Sequence, residues 1–329
     1  MGRPEVEFNP AKANLVYVRR FIFLLLPGLS ALDLASGIDS LSAANEVSGK
    51  TIFHWQIVGE TDEPVESSSG ISIAAEGPLP ETSRDDFIVV CGPLNLAQTP
   101  SSKLKGWLRR AARSGAKLCG LGGGTVLLAL VGLVNQHRVS VHWQLQPAMS
   151  EIFPELDPVC TIYENEASIV SSGGGATALD LFSALINWEC GSEIADQVSD
   201  QLLSSSVRSR GDSQTRSDFC RYGTRHEKLA MALQYMQRNL ENPISPCKIA
   251  EQVGLSTRQL ERLFRRYVES SPKAYMTSLR LARARLLLEQ TQMQVIDVAI
   301  SCGYNSTSHF SKLFRNHYGM SPSAVRSGV

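Results

Sequence analysis

Residues 249–272 read IAEQVGLSTRQLERLFRRYVESSP, and residues 298–322 read VAISCGYNSTSHFSKLFRNHYGMSP. Laid over one another, they are one pattern written twice. Ala250 aligns with Ala299 and Gly254 with Gly303. One extra residue then enters the second copy at the turn, after which Ser256 aligns with Ser306, Leu263-Phe264 with Leu313-Phe314, Arg265 with Arg315 and Ser271-Pro272 with Ser321-Pro322. Each copy predicts a short helix, a turn and a longer helix. Glycine at the turn admits the left-handed backbone that lets two helices cross steeply. Ala250 and Ala299 are small where the helices approach, and Ser256 and Ser306 stand where an N-cap is needed. Leu260, Leu263 and Phe264 share one face, as do Phe310, Leu313 and Phe314, so these faces pack inward. The opposite faces carry Arg258, Arg262 and Arg265 in the first copy and Thr307, Ser308, Ser311 and Lys312 in the second, donors and short polar groups suited to phosphates and base edges. One such hairpin would be a modest signal, because helix-glycine-helix units are common in bundles. Two copies joined by a long helix near 274–290, which carries Arg280, Arg283 and Arg285, predict two recognition helices that enter successive major grooves of double-stranded DNA about 34 Å apart.

Charge divides the chain at the same place. The 329 residues carry 32 Lys+Arg and 32 Asp+Glu, but residues 225–329 hold 15 against 7 and residues 1–224 hold 17 against 25. An acidic first part fused to a basic last part is the asymmetry of a nucleic-acid binder joined to a separate module. The length suits two domains, and a hydrophobic content of 43% suits real cores. The seven cysteines Cys91, Cys119, Cys160, Cys190, Cys220, Cys247 and Cys302 form no CxxC or Cys/His cluster. Their scatter points to reduced thiols in a cytoplasmic protein and speaks against a zinc site; no metal and no cofactor is implied. The apolar run at 21–26 follows Arg19-Arg20 and ends at Pro27-Gly28. It is too short for a signal peptide or a membrane span and reads as a buried parallel strand, so no membrane partner is expected.

Four segments follow. Residues 1–14 have no periodicity and form a loose tail. Residues 15–204 alternate apolar runs with helical patterns: strands at 21–26, 53–58, 87–91, 117–121 and 169–171, helices at 32–45, 101–114, 125–131 and 176–188. That alternation predicts an α/β domain, a parallel sheet with helices on both faces. Residues 205–224, Ser/Arg-rich and poor in apolar side chains, form a linker. Residues 225–329 are all-α and contain the two helix-turn-helix motifs.

Within the α/β domain, residues 117–129 read KLCGLGGGTVLLA. A strand running through a glycine turn into a helix is where α/β hydrolytic folds expose a nucleophile and aim helix N–H groups at an oxyanion. The turn Gly122-Gly123-Gly124-Thr125 is therefore an anion-site candidate suited to a carboxylate; glycines there can also serve only close packing. A second run, Gly173-Gly174-Gly175, likewise precedes a helix.

The last hundred residues resemble the AraC-type transcription regulators. Gly303-Tyr304, then Ser308-His309-Phe310-Ser311 and Phe314, and finally Gly319-Met320-Ser321-Pro322 are similar to that family's second-motif signature. The resemblance implies base readout by Arg258, Glu261 and Arg262 and by Thr307, Ser308, Ser311 and Lys312, with Arg265, Arg266 and Arg315 on phosphates or at the surface. Arg258 and Lys312 could instead touch only phosphate, Glu261 could pair with a neighbouring arginine, and His309 and His317 read as structural.

The first domain resembles the class I glutamine-amidotransferase-like fold found fused to AraC-type domains. The resemblance is carried by Leu26-Pro27-Gly28 with Leu32-Asp33, the turn Gly120 to Gly124, Val141-His142-Trp143 as a helix start, and Ser171-Ser172-Gly173 with Asp180-Leu181. Related enzymes place a nucleophilic cysteine where Gly122 stands here, which implies a domain without catalysis. Cys119 reads as a core thiol. Asp33 is either a carboxylate beside the vacant position or a helix cap, and His142 is either a ligand hydrogen-bonder or a packed histidine.

Residues 43–49 and 221–226 resemble those of regulators responsive to arginine, glycine betaine and carnitine. That implies a small-molecule effector, an amino acid or quaternary amine. Its carboxylate would meet the elbow amides, and its cation an acidic group or an aromatic face, Trp143 or Trp55. The whole is expected to be an activator of catabolism of such a compound, a homodimer that works with RNA polymerase at its operator. The alternative is an amidase or hydrolase with a secondary DNA-binding domain.

Overall fold

The computed structural model describes residues 18–96, 99–166, 168–204, 208–214, 226–242 and 244–326. The chain divides into two compact units, residues 1–214 and 215–329. The expected tail at 1–14, most of the expected linker and most of the 221–226 segment lie outside the described residues.

The first unit is built on a six-stranded sheet. Its strands are β1 (Arg19–Leu25), β2 (Phe53–Val58), β5 (Phe87–Gly92), β6 (Lys117–Gly122), β9 (Tyr163–Glu166) and β10 (Ile169–Ser172), ordered β2-β1-β5-β6-β10-β9. Every neighbouring pair is parallel except β9 with β10. Two short ribbons complete the strands, β3 (Val65–Glu66) with β4 (Ser72–Ile73) and β7 (Arg138–Ser140) with β8 (Asp157–Val159).

Alternation explains why the central strands read as unbroken apolar runs. Phe21, Phe23 and Leu25 point into one core, where α1 (Ala31–Ser48), α5 (Ala176–Cys190) and α6 (Ser192–Gln201) pack. Ile22 and Leu24 point into the other, filled by α2 (Ser102–Ser114), α3 (Gly124–Leu130) and α4 (Gln146–Ile152). A strand covered on both faces cannot spend alternate residues on solvent. Stacked rings fasten the first core, Phe21 on Phe87 at 4.9 Å and Phe23 on Phe182 at 6.0 Å between centroids.

Residues 208–214 correct the linker expectation. Arg208 forks onto Asp180, with Nη2 to Oδ2 at 2.6 Å, and Arg210 onto Glu164, with Nε to Oε2 at 2.8 Å. The backbone pairs as well: Ile162 N donates to Asp212 O at 3.0 Å and Gln214 N to Cys160 O at 3.1 Å. The segment belongs to the first unit. Its composition hid this because it is held by polar partners that are distant in sequence, with no apolar side chain of its own from 208 to 214.

The second unit runs α7 (Glu227–Arg238), α8 (Pro246–Gln252), α9 (Thr257–Tyr267), α10 (Pro272–Gln290), α11 (Val295–Ser301), α12 (Thr307–Tyr318) and α13 (Pro322–Arg326). Leu229, Leu233 and Met236 of α7 share a core with Ile249, Ala250, Leu260, Leu263 and Phe264.

Candidate functional sites

The two helix-turn-helix units are α8–α9 and α11–α12. Gly254 (φ +63°) and Gly303 (φ +78°) both make the left-handed turn. Gly303 also has no room for a side chain, since a Cβ there would stand 2.6 Å from Glu241 O and 2.8 Å from Leu240 O. Ser256 caps α9 through a full capping box with Gln259, and the Ser306 hydroxyl accepts from His309 N at 3.3 Å. These caps fix where each longer helix begins.

Along α9 the exposed residues Arg258, Glu261, Arg262 and Arg265 are spaced i, i+3, i+4, i+7 and form one stripe opposite buried Leu260, Leu263 and Phe264. On α12 the matching stripe is Ser308, Ser311, Lys312 and Arg315, with Thr307 at its head; Thr307 and Ser311 are half-buried. Arg266 lies over the Tyr267 ring at 5.3 Å, off the centre of the stripe. Among the described residues Glu261 has no ion pair, so the intrahelical pairing considered for it does not form. The arginines of α10 are occupied differently. Arg280 Nε donates to Leu240 O at 2.8 Å, Arg283 pairs with Glu241 at 2.8 Å, and Arg285 pairs with Glu289 at 2.7 Å. They brace the connector against the loop after α7 and against its own last turn.

In the first unit, β6 turns into α3 at Gly122, whose φ is +55°. A Cβ on Gly122 would stand 3.1 Å from Asp33 Oδ2 and 3.2 Å from Gly92 O, so a side chain at 122 would face a carboxylate. Asp33 is 1% exposed, and its Oδ1 accepts from Gly175 N at 2.5 Å. Burial pushes its pKa up to about 6, against the opposing hydrogen bonds from Gly175 and Ser30. It lies within the first turn of α1, whose N-cap is Ser30, so Asp33 is not the cap.

Three parts of the elbow expectation need correction. Gly123 N already donates to Gly92 O at 3.1 Å. A Cβ at Gly123 would come within 1.7 Å of Pro93 O, and one at Gly124 within 1.9 Å of Val90 O; these two glycines serve close packing. Thr125 is fully buried and its hydroxyl donates to Gly120 O at 3.2 Å, so it faces the strand and not the crevice. A carboxylate ligand at the turn would meet the buried Asp33 charge and lack the Gly123 amide. Cys119 and Cys91 are fully buried, and burial first, then the Asp33 charge, holds both thiols above the ordinary range.

Val141-His142-Trp143 follows β7 and precedes α4 by three residues, so it is a loop and not a helix start. His142 is half-buried, its Nδ1 accepts from Gln144 N at 3.3 Å, and burial lowers its pKa. Among the described residues no hydrogen bond joins His142 to Asp33 or Gly122. Trp143 is 44% exposed beside the His142 ring, whereas Trp55 packs on the α1/α5 core.

The residues that sequence reasoning missed are Glu60 and Gln214. Glu60 is the one charged group among the described residues lining a cavity of about 270 Å³ beside the elbow, otherwise walled by Leu26, Pro27, Pro93, Gly123, Val126 and Leu130 among others. Its carboxylate accepts the Ser101 hydroxyl. It lies in an unpatterned loop and left no signal in the sequence. Gln214 sits against Gly173 and the 140–143 loop.

With this geometry in hand, the relatives are informative. The DJ-1/PfpI family model matches residues 19–187, and a helix-turn-helix domain model matches residues 249–328. The HTH-type transcriptional regulator CdhR of Pseudomonas aeruginosa is 34% identical over 307 residues, covering 93% of this chain and 91% of that protein. GbdR of the same organism is 34% identical over 306 residues, covering 93% and 83%, and ArgR is 33% identical over 310 residues, covering 94% and 93%. A THiJ/PfpI family protein from Pseudomonas syringae shares the fold, at TM-score 0.51 and 14% identity, covering 77% of this chain and 98% of that one. The chain belongs to the HTH-type transcriptional regulators that join a DJ-1/PfpI domain, which is amidotransferase-like, to an AraC-type helix-turn-helix domain. It is a DNA-binding regulator of transcription, and no helix among its described residues is long and apolar enough to cross a membrane.

Proposed function

We propose that this regulator senses a small amine or amino acid through a DJ-1/PfpI-type domain that carries out no catalysis, and that it activates transcription of the genes for that compound's breakdown. The carrying observation is the elbow. Gly122 stands where the resemblance to related enzymes puts a nucleophile, the carboxylate of Asp33 faces that position, and the adjoining cavity has the single described charge of Glu60. The Glu60 carboxylate in a cavity lined by apolar residues with Asn95, Thr99 and Ser101, and the buried Asp33 behind the turn, favour the cationic or N–H-bearing end of an effector over its carboxylate, the reverse of the orientation that the glycine turn alone suggests. The amidase alternative lacks support here, because the nearest thiols, Cys91 and Cys119, are buried in the sheet. The proposal includes a cytoplasmic homodimer that contacts RNA polymerase at its operator, with Arg258, Glu261, Arg262, Thr307, Ser308, Ser311 and Lys312 reading bases and Arg265, Arg266 and Arg315 holding phosphates.

Three measurements test it. A thermal-shift screen of the full chain against small amines and amino acids is expected to find a compound that raises the melting temperature of the first unit by mass action. Turnover of an amide substrate, abolished by a thiol reagent, would overturn the non-catalytic assignment. For the DNA face, Arg262→Ala is expected to cost roughly 1–3 kcal/mol on the specific operator and relax one base preference, whereas Arg266→Ala weakens specific and non-specific DNA about equally. Identical behaviour of the two variants across an operator panel would refute the division of roles.

A further inference from the structure

The carboxamide of Gln214 fills a slot made by five residues. Its Nε2 stands 2.7 Å from Thr161 O, 2.8 Å from Val141 O and 3.2 Å from Ser140 Oγ, and its Oε1 accepts from Trp143 N at 3.1 Å. The Ser140 hydroxyl hydrogen is already given to Thr161 O at 2.6 Å, so Ser140 Oγ is an acceptor. Three oxygens thus converge on one nitrogen that has two hydrogens; an ammonium group carries three. Gly173 forms the floor: a Cβ there would lie 2.4–2.7 Å from the carboxamide atoms, so the slot exists because residue 173 is glycine. The slot adjoins the elbow through the next residue, since a Cβ on Gly174 would stand 2.9 Å from Gly122 N and 2.7 Å from Asp33 Oδ2.

Among the described residues, polar contacts hold the strap that delivers Gln214. Its other anchors are the backbone bonds of Asp212 and Gln214 to Ile162 and Cys160, Arg208 on buried Asp180 and Arg210 on buried Glu164, and both arginines are partly open to solvent, at 35% and 48%. Both carboxylates are buried, so separating them from their arginines costs more than breaking a surface ion pair, and a displacing ligand has to offset that cost. Glu164 keeps Arg138 and Thr161 as partners if Arg210 leaves. The DNA-binding unit begins in sequence right after Gln214.

We propose that this slot is a donor-reading subsite for the effector, occupied in its absence by Gln214, and that a ligand presenting a primary ammonium or amide displaces the strap 208–214. The proposal rests on the effector role assigned to the elbow. A quaternary ammonium has no N–H to give the three oxygens and does not compete for the slot.

The test uses the full chain as wild type, Gln214→Ala and Gly173→Ala. The probes are glycine, L-arginine and L-glutamine, with glycine betaine as the member lacking N–H, read by calorimetry and thermal shift. Amide hydrogen exchange at Ile162 and Gln214 reports strap docking in the same samples. Gln214→Ala is expected to exchange these amides at least ten-fold faster and to bind an N–H-bearing probe at least ten-fold more tightly than wild type, with betaine affinity equal in both chains. Gly173→Ala, which leaves Gln214 intact but fills the slot, is expected to release the strap and gain no amine affinity. Unchanged exchange in both variants overturns the latch. Equal amine affinity in wild type and Gln214→Ala overturns the subsite and leaves the elbow reading standing. An equal gain for betaine overturns donor recognition, and no response by any chain to any probe overturns both the subsite and the amino-acid effector.

Discussion

Replacing Asp33 by asparagine tests the electrostatics of the elbow directly. The native carboxyl is 1% exposed and titrates at about 6, against an ordinary value of 3.8. That difference corresponds to roughly 3 kcal/mol of preference for the protonated form in the folded state. Because the folded pKa lies above the unfolded one, the native state holds the extra proton between them. Stability from this group is therefore full below about pH 4 and is lost as pH rises through about 6. At pH 7 the wild type carries nearly the whole penalty. Asparagine keeps the acceptor for Gly175 N and has no charge to desolvate, but it places an amide donor where Oδ2 faced the elbow, which costs on the order of 1 kcal/mol if unpaired. The expected outcome is a first unit stabilised by roughly 1–2 kcal/mol at pH 7, with the advantage gone by pH 4. Urea unfolding followed by tryptophan fluorescence reads this cleanly, because all four tryptophans, Trp55, Trp107, Trp143 and Trp188, lie in the first unit. A variant less stable than wild type at pH 7, or a difference that does not change between pH 4 and 7, would refute the desolvation argument.

Other outcomes follow from packing. Gly303→Ala is expected to destabilise the second unit by roughly 2–4 kcal/mol, because a left-handed backbone and contact with two carbonyls coincide there. Gly254→Ala should cost only about 1 kcal/mol, since its nearest neighbour is the flexible Lys228 Nζ at 3.5 Å; circular dichroism melts of both variants give the comparison, and equal losses would contradict it. In native protein, iodoacetamide should modify exposed Cys247 at least roughly 100-fold faster than buried Cys91, Cys119 and Cys302, as peptide mapping by mass spectrometry would show. Rapid native labelling of Cys119 would reopen the enzyme alternative.

The sequence revealed most of the scaffold. The central strands at 87–92 and 117–122 announce themselves because burial on both faces leaves no polar alternation, whereas the strand at 53–58 stands at the sheet edge and keeps His54 and Gln56 among its apolar residues. The caps at Ser256 and Ser306 and the turn glycines were legible because each is a local requirement of the backbone. What escaped was set by distant partners. The edge strand YENE at 163–166 carries two glutamates, one of them buried only because Arg138 and Arg210 meet it from elsewhere in the chain. The short ribbon strands have too few residues to show a period. At the elbow the sequence pointed to Gly122 and Asp33, which the structure places side by side. It could not show that Gly123 had already spent its amide, or that Gln214 returns from the far end of the domain.

The glycine turn after β6 has a wider meaning. Its course is constrained at Gly123 and Gly124 by the carbonyls of Pro93 and Val90, and at Gly122 by a left-handed backbone. Shape and reactivity are thus separable inheritances. The close packing at 123 and 124 does not depend on the side chain at 122, so the shape alone is no record of whether chemistry happens there. A side chain introduced at 122 would be strained by that left-handed backbone, and its Cβ would stand 3.1 Å from the buried Asp33 carboxylate.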